Sequence, residues 1–140
     1  MGGNLGVGNT TNHLTPVQVH GLANIVAIAG GRDHSLAVRS DGTVWAWGWN
    51  TYGRLGDRTK TNRLAPVQVS GLAGVTRVSA GAEHSMALTS VGMVWTWGHN
   101  NDGQLGDGTT INRPAPVKIG GISGAFGLGG GVNYSAVLHT

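Results

Sequence analysis

The sequence predicts an all-β fold built of β-propeller blades, each a twisted sheet of four antiparallel strands. Three observations predict it. One unit recurs at a spacing of 50 residues. Each unit holds short runs of branched and aromatic residues cut by Gly, Pro and Asp-Gly turn signals. No stretch carries an apolar period of helical length. A right-handed β-helix also stacks short strands, but its coils are shorter and hold fewer turns. One blade cannot bury both faces alone, so the units must pack on one another.

The elements follow in order. Gly3-Asn4-Leu5-Gly6 recurs as Gly53-Arg54-Leu55-Gly56 and Gly103-Gln104-Leu105-Gly106. These read as loops. Pro16-Val17-Gln18-Val19, Pro66-Val67-Gln68-Val69 and Pro116-Val117-Lys118-Ile119 come next. Each is predicted to be a short strand near a sheet edge, because Pro cannot donate to a ladder. Gly21-Leu22, Gly71-Leu72 and Gly121-Ile122 read as turns. Ile25–Ala29, Val75–Ala80 and the weaker Ala125–Gly129 read as strands in a crowded place, where small residues let neighbours approach. A strand opening at His34-Ser35, His84-Ser85 and Tyr134-Ser135 follows. The last strand, Trp45-Ala46-Trp47-Gly48 and Trp95-Thr96-Trp97-Gly98, occurs only twice.

At this period the 140 residues make about 2.8 copies. They form one repeat domain, 1–140, with copies 3–52, 53–102 and 103–140. Charge is sparse: nine Lys and Arg against six Asp and Glu, a net charge of +3. With 26 glycines at fixed intervals, the chain suits tight turns better than a flexible linker. Arg54, Arg58, Lys60 and Arg63 gather four of the nine cations in one segment. That segment reads as a solvated loop rather than an anion patch, which argues against nucleic acid as a partner. There is no Cys, hence no disulfide framework. The opening MGGNLGVGN lacks the basic start and apolar core of a signal peptide, and no apolar run reaches the length of a membrane span. The chain begins inside a repeat, as a piece of a longer chain does. Its compartment is left open.

The motif set resembles the regulator of chromosome condensation repeat. Gly31, His34 and Ser35 match one segment of that pattern, and Asp41, Gly42, Val44, Trp47, Gly48, Asn50, Gly53, Leu55 and Gly56 match the next. The second copy matches at Gly81, His84, Ser85, Gly92, Val94, Trp97, Gly98, Asn100, Gly103, Gln104, Leu105 and Gly106. The third copy departs, with Tyr134 in place of the His and no Trp-Gly strand. The resemblance implies a propeller, usually of about seven blades. Eukaryotic members include an exchange factor for the small GTPase Ran that also docks on chromatin, using loops and an inserted wedge. The copies here keep an even spacing without such an insertion. The TPVQV and GDGTT wording is similar to bacterial members. A propeller-type β-lactamase inhibitor with similar segments indicates that the scaffold can serve as a binder.

Candidate chemistry is thin. Asp33-His34-Ser35 and Glu83-His84-Ser85 contain the residue types of a hydrolytic triad. Neighbours on a strand point to opposite faces, so they do not converge on one substrate atom. The two histidines are expected to hydrogen-bond the backbone of a neighbouring strand. Asp57, Asp102 and Asp107 with Asn50, Asn100 and Asn112 read as turn-capping residues, not a calcium site, since no D-x-D-x-D-G run exists. The triple glycine Gly129-Gly130-Gly131 precedes no helix and offers no phosphate loop. No cofactor and no metal are expected. Trp45, Trp47, Trp95 and Trp97 lie at i and i+2 and are expected to pack between blades. Trp49, Tyr52, Arg54, Arg58 and His99 lie beyond the closing Gly48 or Gly98, on a rim loop. They are the candidate partner-binding residues, with local loop packing as the competing role.

The expected function is a non-catalytic scaffold presenting rim loops to a protein partner. The alternatives are a guanine-nucleotide exchange factor or chromatin-associated regulator, and an amplified or engineered repeat fragment without selected function. An incomplete ring leaves faces open unless it oligomerises. A homo-oligomer is therefore expected, with a head-to-tail dimer favoured because two chains supply close to six blades.

Overall fold

A computed structural model describes residues 3–140. Two sheets have four antiparallel strands each, and a third has two. The first sheet orders β1 (Ile25–Gly30), β2 (His34–Arg39), β3 (Val44–Gly48) and β4 (Arg63–Gln68) side by side. The second repeats this with β5 (Val75–Ala80), β6 (His84–Thr89), β7 (Val94–Gly98) and β8 (Arg113–Lys118). The third holds β9 (Ala125–Gly130) and β10 (Ser135–His139). Each four-stranded sheet thus takes its outer strand from the following sequence copy. Among the described residues no helix is long and apolar enough to cross a membrane.

The strands form where the sequence alternates. In the first sheet Ala27, Val38 and Val44 lie in one cross-strand row, and Ala29, Leu36 and Ala46 in the next. Both rows face the second sheet. That sheet answers with Val78, Ala87 and Trp95, and with Ala80 and Trp97. The resulting core cluster also takes in Leu55, Val69, Leu72 and Val75. Between the second and third sheets the cluster shrinks to Leu88, Val94, Ile119 and Ala125, with Leu128 and Val137 against it. The expected crowding at the inner strands is real. A Cβ on Gly130 would stand 2.6 Å from the Ala80 carbonyl.

Pro66 and Pro116 lie in outer strands β4 and β8, where a missing donor costs no ladder bond. The first copy is a correction. Pro16–Val19 forms no strand. β4 and β8 exist because they pair with the Trp strands β3 and β7. Among the described residues no Trp strand lies beside Pro16–Val19, and without a partner the segment forms no ladder. Of the third copy, β8 completes the second sheet, and β9 and β10 pair with each other as the third.

Candidate functional site

The junction between sheets is built around one backbone carbonyl. Ser85 Oγ donates to the Arg54 carbonyl at 2.7 Å, and Trp97 Nε1 donates to the same oxygen at 2.8 Å. His34 Nε2 lies 2.9 Å from Ser85 Oγ. Because the hydroxyl proton goes to Arg54, the imidazole donates and Nε2 carries the hydrogen. The next junction repeats the pattern: His84 Nε2 sits 3.0 Å from Ser135 Oγ, which donates to the Gln104 carbonyl at 2.7 Å. Both histidines bond across a junction, but their partner differs from the expected strand backbone. It is the serine of the next sheet.

This arrangement does not make a nucleophile. Burial, then the charges of Arg54 and His84, push His34 down to about 3, with a backbone contact at His84 opposing. Burial also lowers His84, a backbone bond at Tyr134 opposes it, and His99 adds to it. Both imidazoles stay neutral, and Ser85 is sealed from solvent with its proton already committed. Asp33 and Glu83 make no hydrogen bond to either ring among the described residues.

The rim loops between β3 and β4 and between β7 and β8 are closed by asparagine. Asn50 Oδ1 accepts from the Leu55 N–H, while Nδ2 donates to Asp57 Oδ1, the Thr59 carbonyl and the Thr61 carbonyl. Asn100 makes the same set with Leu105, Asp107, Thr109 and Ile111. Asp57 and Asp107 cap Thr59 and Thr109 and bind Arg63 and Arg113 at 2.7 Å. Burial alone would raise these two carboxyls. Threonine and arginine bonds outweigh it, lowering Asp57 and holding Asp107 down to about 2. Among the described residues no group of three or more His, Cys, Asp and Glu is placed to hold a metal ion.

The five candidate residues divide. Tyr52 and His99 meet across the junction, with ring centroids 4.3 Å apart. Arg54 lies beneath Tyr52, its guanidinium 5.8 Å from the ring, and reaches Glu83 at 3.6 Å. It is only 2% exposed, and burial lowers its pKa against the pull of Glu83. Gln104 Nε2 donates to His99 Nδ1 at 2.8 Å. Trp49 is 38% exposed, and its backbone N–H donates to the Asp33 carbonyl. Arg58 is exposed at φ 66°, its N–H on the Pro114 carbonyl of the next sheet. The basic segment is therefore only partly a solvated loop: Arg58 and Lys60 are free in solvent, Arg63 is paired and Arg54 is buried. Sequence reasoning missed Glu83 and Gln104 as rim members. The signal was available, since each lies at a repeat position next to a residue already singled out.

Three comparisons bear on this architecture. The family described as regulator of chromosome condensation (RCC1) repeat matches residues 1–38, 41–88 and 91–138. A second form of the same repeat matches 25–54 and 75–104. The Ultraviolet-B receptor UVR8 of Arabidopsis thaliana is 42% identical over 55 residues, 38% of this chain and 12% of the receptor. Human WBSCR16 superposes with a TM-score of 0.83 at 22% identity, over 98% of this chain and 38% of that one. Prp20p of Saccharomyces cerevisiae, described with its binding to Gsp1p and histones, gives 0.82 at 20% identity, over 97% and 37%. Yeast Prp20 bound by Kap60 gives 0.75 at 28% identity, over 90% and 30%. The chain spans less than two-fifths of each of these relatives.

Proposed function

The chain belongs to the regulator of chromosome condensation repeat family, and from that premise we propose that it is a non-catalytic binding module whose rim loops dock a protein partner. The observation that carries the reading is the exposed Trp49 on a loop whose backbone is already fixed. The scaffold bonds of that loop run through Asn50, Asp57 and Thr59, and none of them uses the Trp49, Tyr52 or Arg58 side chain. Those side chains, with His99, are the docking set, and Arg54 supports Tyr52 from beneath. Aromatic residues and Arg on a rigid loop carry interface energy at small entropic cost.

The test works with surrogate ligands in place of the natural partner. Peptides are selected from a displayed random library against the parent chain and measured again on a Trp49→Ala/Arg58→Ala variant. The reading expects a loss of binding of tenfold or more, about 1.4 kcal/mol. Peptides that bind the folded variant as well as the parent overturn it. Self-association into a head-to-tail homo-oligomer, with the dimer favoured, belongs to the same reading, because the first and third sheets each keep one face that no other described sheet covers.

A further inference from the structure

We infer that the open face of the third sheet docks on the open face of the first sheet of a second copy of this chain, with Tyr134 seated at Ser35. This deepens the self-association reading and rests on it.

The two faces carry matching halves of one junction. On the first sheet the rows turned away from the second are Ile28, Ala37 and Trp45, then Gly30, Ser35 and Trp47; Ile28 is exposed, while Ala37 is already buried and Trp47 lies beneath the loop around Asn4 and Gly6. Their counterparts in the second sheet, Val78, Ala87 and Trp95, then Ala80, Ser85 and Trp97, are the rows buried against the first sheet. On the third sheet the open rows are Gly127 with Leu138 and Gly129 with Ala136. Their counterparts in the first sheet, Ala27 with Val38 and Ala29 with Leu36, are the rows that meet the second.

The residue changes between these rows are complementary. Ala27 and Val78 both pack on the cluster of the first junction, and their counterparts on the two outward faces are Gly127 and Ile28: one face loses a methyl and the other gains a carbon. Ala29 and Ala80 both pack on the cluster of the first junction, and their counterparts on the two outward faces are Gly129 and Gly30, beside Tyr134 in the histidine position. Two methyls are removed where an imidazole becomes a larger phenol. Both glycines have room: a Cβ on Gly30 meets nothing within 4 Å, and one on Gly129 meets only the Ala136 Cβ at 3.9 Å. Tyr134 keeps the histidine's seat, its ring over Gly131 as His34 lies over Gly31 and His84 over Gly81. It is 65% exposed, and Ile28 76%. Ser35 holds the place of Ser85 and Ser135, the hydroxyls that receive the latch inside the chain. A phenol O–H donates as the imidazole N–H does, so the latch survives the substitution.

The experiment is sedimentation of the 140-residue chain across the low micromolar range, with near-ultraviolet circular dichroism as the check on folding. The expected species has twice the chain mass of 14.3 kDa. Ile28→Arg and Gly129→Leu alter only surface that the single chain leaves open, so both keep the folded spectrum and weaken association by more than about tenfold. Tyr134→His keeps association and Tyr134→Ala weakens it, while Trp49→Ala leaves the mass unchanged. A chain that stays monomeric throughout overturns self-association and this inference together, with rim binding untouched. A dimer that Ile28→Arg and Gly129→Leu do not weaken overturns the inference alone and moves the contact to another surface.

Discussion

Between the first and second sheets, the Arg54 carbonyl receives both Ser85 and Trp97. Between the second and third, the Gln104 carbonyl receives Ser135 alone among the described residues. The histidine latch has nearly the same length in both, 2.9 and 3.0 Å. What differs is everything around it. The first junction closes over a broad apolar cluster, and the second over a smaller one with a two-stranded sheet behind it. The same contrast marks the glycines. A Cβ on Gly56 would stand 2.8 Å from Trp97 Nε1, whereas Gly106 faces open space. Local sequence therefore sets the geometry of a latch, and the number of strands behind it sets how far it is shielded from water. The depth of the His34 shift follows from that shielding.

The strongest way to break this comparison is Trp97→Ala. It empties the sealed side of the first junction and removes a bond to Arg54, so urea unfolding should show a loss of about 3–5 kcal/mol. Trp47→Ala should cost about 1 kcal/mol less, since among the described residues a loop around Asn4 and Gly6, and no second sheet, covers that ring. Equal losses would show that the cluster behind the ring does not matter.

The glycine pair sharpens the point. Both Gly56→Ala and Gly106→Ala meet a positive φ, 71° and 68°. Each should lose about 1 kcal/mol for the backbone alone. Gly56→Ala should lose about 1–3 kcal/mol more in the same unfolding assay, because Trp97 must move. The latches come next. Ser85→Ala and His84→Ala should each cost about 1–3 kcal/mol for a buried group left unpaired. Ser135→Ala should fall below that range in thermal melts, since Ser135 keeps contact with water. A His84→Ala variant that melts like the parent would refute the structural role.

The gentlest test is pH. Below about 6.5 the unfolded chain takes up a proton that folded His34 refuses until about 3, so stability falls as pH falls, by up to about 1.4 kcal/mol per unit. Asp57 and Asp107 act in a lower window. Their folded pKa values lie below the unfolded ones, so their contribution is full above about 4 and fades as pH falls, for Asp107 toward about 2. His34→Gln should therefore flatten the stability profile between pH 6.5 and 4 and leave the steeper fall below 4 in place. His84→Gln should flatten it less. A profile unchanged by His34→Gln would remove the shielding argument.

Much of the fold was legible because turns and strand rows recur at one spacing, and Trp-x-Trp and the Pro-Val segments mark phase within each repeat. Pro16–Val19 was misread because strand propensity is local while pairing is not. The His–Ser latch was hidden by reading the dipeptide as a neighbour pair. Its meaning lies one repeat away, where His34 meets Ser85. The rim was legible as a place, not as a set of exposures. Arg54 follows a loop glycine and looks solvated, yet the buried Leu55 beside it draws its backbone into the junction.

That backbone has a consequence for how such a surface changes over generations. The acceptor is a carbonyl, present whatever residue stands there, and the equivalent positions hold Asn4, Arg54 and Gln104. A codon at this site can drift among polar residues of quite different reach while the clasp between sheets is kept. Neighbouring repeats can then acquire unlike rims on an unchanged frame, and a lineage can explore new recognition one residue at a time.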